Sequence, residues 1–256
     1  MNHQQLSSWC QKKISKNPIE LLIGGFLAGA FIGFGGQLFT VVTSAPLPFG
    51  VSQLLGGLVF SVGLIMVILG ETELFTGNCL LSYSCYPNYH QIKETLINWG
   101  LVYGGNFLGA LFLVFLYHHS GLFLSNPSII ERAGAIVMGK LSFSFGEAFI
   151  RGILCNWLVC LAVLFATFSE NNLTRIAIIP IPIVTFVALG YEHSIANMYF
   201  LPAGKIAQAY LDPTQAVSWG EIFGKNLIPV TLGNIVGGCL LVGFLYWFIL
   251  SHRKKE

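Results

Sequence analysis

The sequence predicts an all-α, polytopic membrane protein, and three observations carry that reading. Hydrophobic residues make up 54% of the 256-residue chain and charged residues only 9%, whereas a soluble domain needs roughly 25% charge to keep its surface wet. Residues 21 to 70 contain no Asp, Glu, Lys or Arg, a run far longer than the about 20 residues with which one helix crosses the hydrocarbon core. Further charge-free runs cover 95 to 117, 152 to 168, 176 to 191 and 226 to 251. Two spans share the first run, so six transmembrane helices are expected.

The elements follow in order. Residues 1–20 are polar and carry Lys12, Lys13 and Lys16; with no small-residue cleavage pattern behind the first apolar run, they read as an N-terminal segment and not a removed signal. The six-span domain occupies 21–250, and 251–256 form a basic tail. Pro46-Leu47-Pro48-Phe49-Gly50 turns the chain between spans one and two, because proline lacks a donor and clashes with the preceding turn. With the termini inside, the inner segments hold Lys12, Lys13, Lys16, Lys93, Arg175, Arg253, Lys254 and Lys255, eight of the 13 basic residues. The positive-inside bias therefore favours cytoplasmic termini.

The two halves echo each other. Asn98, Asn106 and Gly109 recur as Asn226, Asn234 and Gly237, an offset of 128 residues, and Glu20 and Gly25 recur as Glu147 and Gly152, an offset of 127. Three spans per half, an odd number, make repeats of about 20–117 and 147–250 inverted with respect to one another. Charge intrudes on the spans at Gly70–Asn78, with Glu71 and Glu73 in span two, and at Gly190–Asn197, with Glu192 and His193 in span five. An ionisable group at membrane depth is costly unless paired or wetted, and interrupted spans at matching positions point to a transport site. Gly70 and Gly77 permit a non-helical loop there, tolerable only where it lines a cavity or packs on protein.

Other chemistries find no support in the pattern. The cysteines show no Cys-x-x-Cys pair, and Cys79, Cys155, Cys160 and Cys239 lie in apolar runs as packed thiols. His3, His90, His118, His119 and His252 fall in tails or connections without metal-ligand spacing, so neither a metal nor a cofactor is expected. No catalytic triad, redox ligand pair or phosphate-cradling loop is visible, which argues against an enzyme. A net charge of +2 with scattered basic residues implies no nucleic-acid partner.

The strings Gly-Glu-Thr-Glu-Leu-Phe-Thr-Gly-Asn (70–78), Arg-Gly-Ile-Leu-Cys-Asn-Trp-Leu-Val-Cys-Leu-Ala (151–162), Gly-Tyr-Glu-His-Ser-Ile-Ala-Asn-Met (190–198) and Asn-Leu-Ile-Pro-Val-Thr-Leu-Gly-Asn (226–234) resemble the signatures of the formate/nitrite transporter family. The resemblance implies a homopentamer of aquaporin-like, six-span protomers in a bacterial inner membrane, each with its own pore for a small weak-acid anion: formate, nitrite or hydrosulfide. The second and third strings lean slightly toward nitrite-type members. The paired Asn-Pro-Ala motifs of a neutral-solute channel are absent.

Carried over by residue, His193 is the central pore histidine, with Glu192 before it, and Thr76 the threonine of the loop that interrupts span two. Asn156 matches the asparagine that hydrogen-bonds near the histidine. Phe60 and Leu74 match the apolar constriction on one side and Phe186 that on the other, with Leu64 and Phe75 as neighbours. Lys140, 16 residues before Asn156, matches the vestibule lysine. Glu71 departs from the family pattern, which more often has an uncharged residue. Two mechanisms stay open at this level: the anion takes a proton and crosses neutral past His193, or a protonated His193 serves as counter-charge to a bare anion.

Overall fold

The computed structural model describes residues 3–169 and 171–252; Arg253, Lys254 and Lys255, counted above among the inner basic residues, lie outside them. The described chain is all-helical. In order it forms α1 (His3–Ile14), α2 (Pro18–Thr43), α3 (Phe49–Leu69), the short α4 (Phe75–Asn78) and α5 (Ser82–Cys85), α6 (Ile92–His119) and α7 (Pro127–Leu141). Then come α8 (Phe145–Thr167), α9 (Asn172–Ile178), α10 (Pro180–Ala188), α11 (Ser194–Leu211), α12 (Trp219–Glu221), α13 (Ile228–Val236) and α14 (Leu245–Ser251). Wider π turns at Ile222–Leu227 and Gly237–Phe244 join the last three into one rod, the first of them just ahead of Pro229, which has no amide hydrogen to donate.

Among the described residues, five helices are long and apolar enough to cross a membrane: Pro18–Thr43, Phe49–Leu69, Tyr89–His119, Phe145–Thr167 and Trp219–Ser251. The fifth expected segment differs from the others. Its charge-free run is split between α9 and α10, and the helix resumes only at Ser194, beyond the run, as α11. The break at Gly190 falls where the interruption of span five is expected, while Pro180 and Pro182 mark a further division between α9 and α10 that composition alone does not present.

Local sequence explains where the long helices begin. Asn17 caps α2 and Ser144 caps α8, each closing a reciprocal box with the glutamate three residues on, Glu20 and Glu147, which satisfies otherwise orphaned amide groups. Close approach explains how they pack. A Cβ on Gly29 would lie 2.0 Å from the Asn106 carbonyl oxygen and one on Gly109 1.9 Å from that of Phe26, so α2 and α6 touch backbone to backbone; Gly233 against Phe149 and Gly237 against Ile153 do the same for α8 and the last rod. Such contacts replace the hydrophobic drive that lipid removes. Leu22, Leu108, Phe112, Phe115, Leu240 and Phe248 remain exposed on the outer faces, while the polar side chains Glu73, Asn78, Asn106, Asn156, Glu192, His193, Asn197, Asn226 and Asn234 are buried.

Candidate functional site

Two helix breaks meet at the centre of the molecule. Unwinding frees carbonyl and amide groups that must be satisfied inside the protein, and at each break one asparagine does most of this. Asn106 on α6 donates to the carbonyls of Gly25 (2.7 Å) and Glu73 (2.9 Å), and its oxygen accepts the Phe75 N–H at 3.0 Å. Asn234 on α13 donates to Gly152 (2.8 Å) and Glu192 (3.0 Å) and accepts the Ser194 N–H at 2.9 Å. An amide side chain is suited to this because it carries donor and acceptor on one rigid plane.

The buried carboxylates are clamped in the same way. Glu73 receives Lys13 and Lys16, both at 2.8 Å, and Asn78 at 2.7 Å. Asn78 also donates to Asn98, which donates to the Lys13 carbonyl. Glu192 receives Lys140 at 2.8 Å, Asn197 at 2.7 Å and Asn226 at 3.1 Å. Asn197 also donates to Asn226, which donates to the Lys140 carbonyl. A buried carboxylate is tolerable only when its lone pairs are met this fully. Burial pulls the Lys13 ammonium below the ordinary lysine value, and the Glu73 carboxylate opposes that pull.

His193 and Thr76 join the breaks: the ring Nε2 lies 2.8 Å from the threonine hydroxyl. The other ring nitrogen fixes the proton's position. Nδ1 accepts the Ala196 N–H at 3.0 Å, so it carries no hydrogen, and the neutral ring holds its proton on Nε2 and donates it to Thr76. That leaves the Thr76 hydroxyl hydrogen for a third partner. A doubly protonated ring would set a second N–H against that of Ala196. It would also put a cation at the N-terminus of α11, where His193 is the cap residue and the helix dipole opposes positive charge. Asn156 makes no direct bond to the histidine. Its amide donates to the carbonyls of Thr76 (3.1 Å) and Asn234 (2.7 Å), while its side-chain oxygen is buried without a protein partner.

Apolar side chains flank this polar pair, in an arrangement that corrects one expectation. Phe60 does not group with Leu74. It packs edge-on against Phe186 with ring centroids 6.0 Å apart, and Phe186 stacks on His193 at 5.9 Å. Both phenylalanines line the cavity on the Lys140 side, and Leu74 lines the one on the Lys13 side, because Phe60 lies two turns from the C-terminal end of α3 and Leu74 follows that end. Phe75, just before Thr76, packs against Trp99 and Tyr103, since its backbone amide, tied to Asn106, turns the ring toward α6. Leu64 is buried one turn from Phe60, between Phe60 and Val67, which face opposite cavities.

Each cavity is basic. The one on the Lys140 side, about 360 Å³, is lined by Arg132, Lys140 and Arg151 with Glu192. Lys140, matched above to the vestibule lysine, is bound to Glu192 and lies 5.5 Å over Phe200, so the excess positive charge belongs to the two arginines. The other cavity, about 200 Å³, is lined by Lys12, Lys13, Lys16 and Arg175 with Glu71 and with Trp9 of α1. Sequence reading assigned no site role to the clamping asparagines or to Arg132 and Arg151. For the asparagines a signal existed in the 128-residue echo of Asn98 and Asn106; for the arginines there was none, since their approach depends on α7 packing against α11 and α2.

The formate/nitrite transporter family model matches residues 2–248. The chain is 40% identical over 249 residues to the transporter YrhG of Bacillus subtilis, covering 96% of this chain and 90% of the relative. It is 34% identical over 263 residues to the formate channel FocA of Escherichia coli K12, covering 95% and 91%. Among solved structures it resembles a pentameric formate channel with formate bound (TM-score 0.81, 35% identity, 91% of this chain and 98% of that one) and an FNT family ion channel (TM-score 0.84, 28% identity, 96% and 98%). An aquaglyceroporin of Plasmodium falciparum shares the fold alone, with a TM-score of 0.56 at 16% identity over 93% of this chain and 100% of that one.

Proposed function

The chain belongs to the formate/nitrite transporter family and is an anion channel or transporter, not an enzyme, and we propose that it carries formate, or an anion of the same size and basicity such as nitrite or hydrosulfide, across the membrane as the neutral acid. The observation that carries this reading is the bonding of His193. With Nδ1 accepting from Ala196 and Nε2 donating to Thr76, the ring is uncharged and offers a bare anion no counter-charge. A bare anion entering the Phe60–Phe186 constriction loses hydration and gains nothing there.

The excess positive charge of either cavity concentrates the anion. In the less polar interior the anion becomes more basic and takes a proton from water. The acid then passes between Phe60 and Phe186, meets the Thr76 hydroxyl and the unpaired oxygen of Asn156, passes Leu64 and Leu74, and releases its proton on the far side. His193 orients Thr76 and exchanges its Nε2 proton through it. Transport is electroneutral, anion and proton together.

The protomer is read as six spans in two inverted three-helix repeats, supported by Asn98 and Asn106 recurring as Asn226 and Asn234, 128 residues on, and by Glu73 and Asn78 recurring as Glu192 and Asn197, 119 residues on; α1 and α7 join the repeats because both present a lysine carbonyl to the matching asparagine. Assembly as a homopentamer is expected from the relatives, as is residence in a bacterial inner membrane with cytoplasmic termini.

Proteoliposomes test this directly. Uptake of formate, nitrite and hydrosulfide is measured side by side, with and without an inward proton gradient, for the native chain and for His193→Phe. Formate uptake that rises with the gradient without net current, and is lost in the variant, is expected. Undiminished proton coupling in His193→Phe removes the histidine from the mechanism.

A further inference from the structure

The cavity on the Lys140 side is larger and more cationic than the passage of an ion of at most three heavy atoms requires. At about 360 Å³ it falls in the range of sites that take organic ligands, roughly 300–1,000 Å³. Its cations are not equivalent. Lys140 is neutralised by Glu192, but neither arginine forms an ion pair among the described residues. Arg132 donates from Nε to Thr43 at 2.8 Å and lies 5.7 Å over Phe39. Arg151 donates from Nη1 to the Gly190 carbonyl at 3.1 Å and lies 3.9 Å over Phe143. Each guanidinium is thus held by one bond and one aromatic face, with part of its donor fork unspent.

We propose that this cavity binds flat organic carboxylates, aryl carboxylates above all, that are too large to pass the constriction. The carboxylate meets the remaining donors of Arg132 and Arg151, because a guanidinium presents paired N–H groups that match two carboxylate oxygens. The ring rests on the aromatic wall of Phe39, Phe143 and Phe200, and the Phe60–Phe186 pair beneath it stops further entry. A bound aryl carboxylate therefore sits over the entrance and blocks the flux of the small anion from that side. The blocking consequence rests on the proposed transport of formate; the binding itself does not.

The test uses the full chain in lipid nanodiscs, titrated by calorimetry with 2-naphthoate and with its uncharged isostere 2-naphthamide. Naphthoate is expected to bind and naphthamide to bind about ten-fold more weakly or not at all, since an unmade bond to a charged group costs on that order. Arg151→Gln and Arg132→Gln should each weaken naphthoate by about ten-fold, and Arg151→Lys should restore only part of the loss because an ammonium lacks the planar fork. In proteoliposomes, naphthoate should inhibit formate uptake from one side of the bilayer only. Absence of naphthoate binding to the native chain, equal binding of the amide, or unchanged binding in an Arg132→Gln, Arg151→Gln double variant overturns the inference. Naphthoate binding by a chain that carries no formate leaves this site standing and sinks the transport reading; formate uptake without naphthoate binding does the reverse.

Discussion

The two helix breaks, Gly70–Leu74 and Leu189–His193, are built on one plan and differ where chemistry is needed. Leu74 and His193 cap the helices that follow, with nearly the same backbone, φ −107° and ψ 120° against φ −109° and ψ 115°. Two residues later stand Thr76 and Ile195. Each half therefore supplies one polar and one apolar side chain in these two slots, in opposite order, and the fold brings the polar member of each together as the Thr76–His193 pair. The two breaks share a scaffold and divide the function: asparagine clamps and a lysine-bound glutamate occur at both, while the reacting groups do not.

The strongest way to break this comparison is to make the slots alike. His193→Leu gives both breaks leucine at the cap, and formate uptake should fall by a hundred-fold or so, since a group acting as both hydrogen-bond and proton partner is gone, with the assembled protein still recovered intact by size-exclusion chromatography. Uptake above a tenth of native would mean that the histidine only fills space.

Next come the asparagines. Asn106→Ala and Asn234→Ala each strand one carbonyl and one amide of a break in a buried site, a loss of about 3 kcal/mol, and the two should be close to equal in a reversible unfolding titration in mixed micelles. A difference of more than half would show that the breaks are not equivalent scaffolds.

A smaller asymmetry is expected at the carboxylates. Glu73→Gln leaves Lys13 and Lys16 unpaired and side by side, whereas Glu192→Gln frees only Lys140. The first should cost about 3 kcal/mol or more and the second less, and double variants that also neutralise the lysines should recover part of each. Equal losses would mean that Lys16 contributes nothing to the clamp.

The smallest effect lies at the turn itself. Glu71 sits at φ 49° where the other break has Gly190 at φ 70°, a left-handed backbone that costs a non-glycine residue about 1 kcal/mol. Its compensation is an exposed ion pair with Lys12, worth well under 1 kcal/mol. Glu71→Gly should therefore stabilise slightly, by about 0.5 kcal/mol, while Gly190→Ala should destabilise by about 1 kcal/mol. Loss of stability in Glu71→Gly would show that the Lys12 pair, and through it the docking of α1, outweighs the strain.

Much of this was legible in the chain. The uncharged runs placed the helices, because lipid admits few charges, and Glu73, Glu192 and His193 marked the breaks because they violate that rule. The 128-residue echo picked out Asn98, Asn106, Asn226 and Asn234, though not the carbonyls they satisfy. The division of the fifth span at Pro180 and Pro182, ahead of the break at Gly190, was harder to read: hydropathy treats these prolines like any other residue, whereas each removes a backbone donor. The packing of the Phe75 ring on Trp99 and Tyr103 has no signal in the chain, because it follows from the bond of its amide to Asn106.

By itself, then, the sequence determined the solvent of this protein, the helical class, the family, and the two places where helices must open, since each follows from local composition, spacing or motif. Which side chains meet across those openings was decided by tertiary structure alone. Thr76 and His193 are 117 residues apart, Lys13 and Glu73 60, Lys140 and Glu192 52, and Phe60 meets Phe186 rather than Leu74. Pairing at such separations depends on how the helices cross, which is set by backbone contacts at glycines and by buried hydrogen bonds whose partners have no shared signature in the chain.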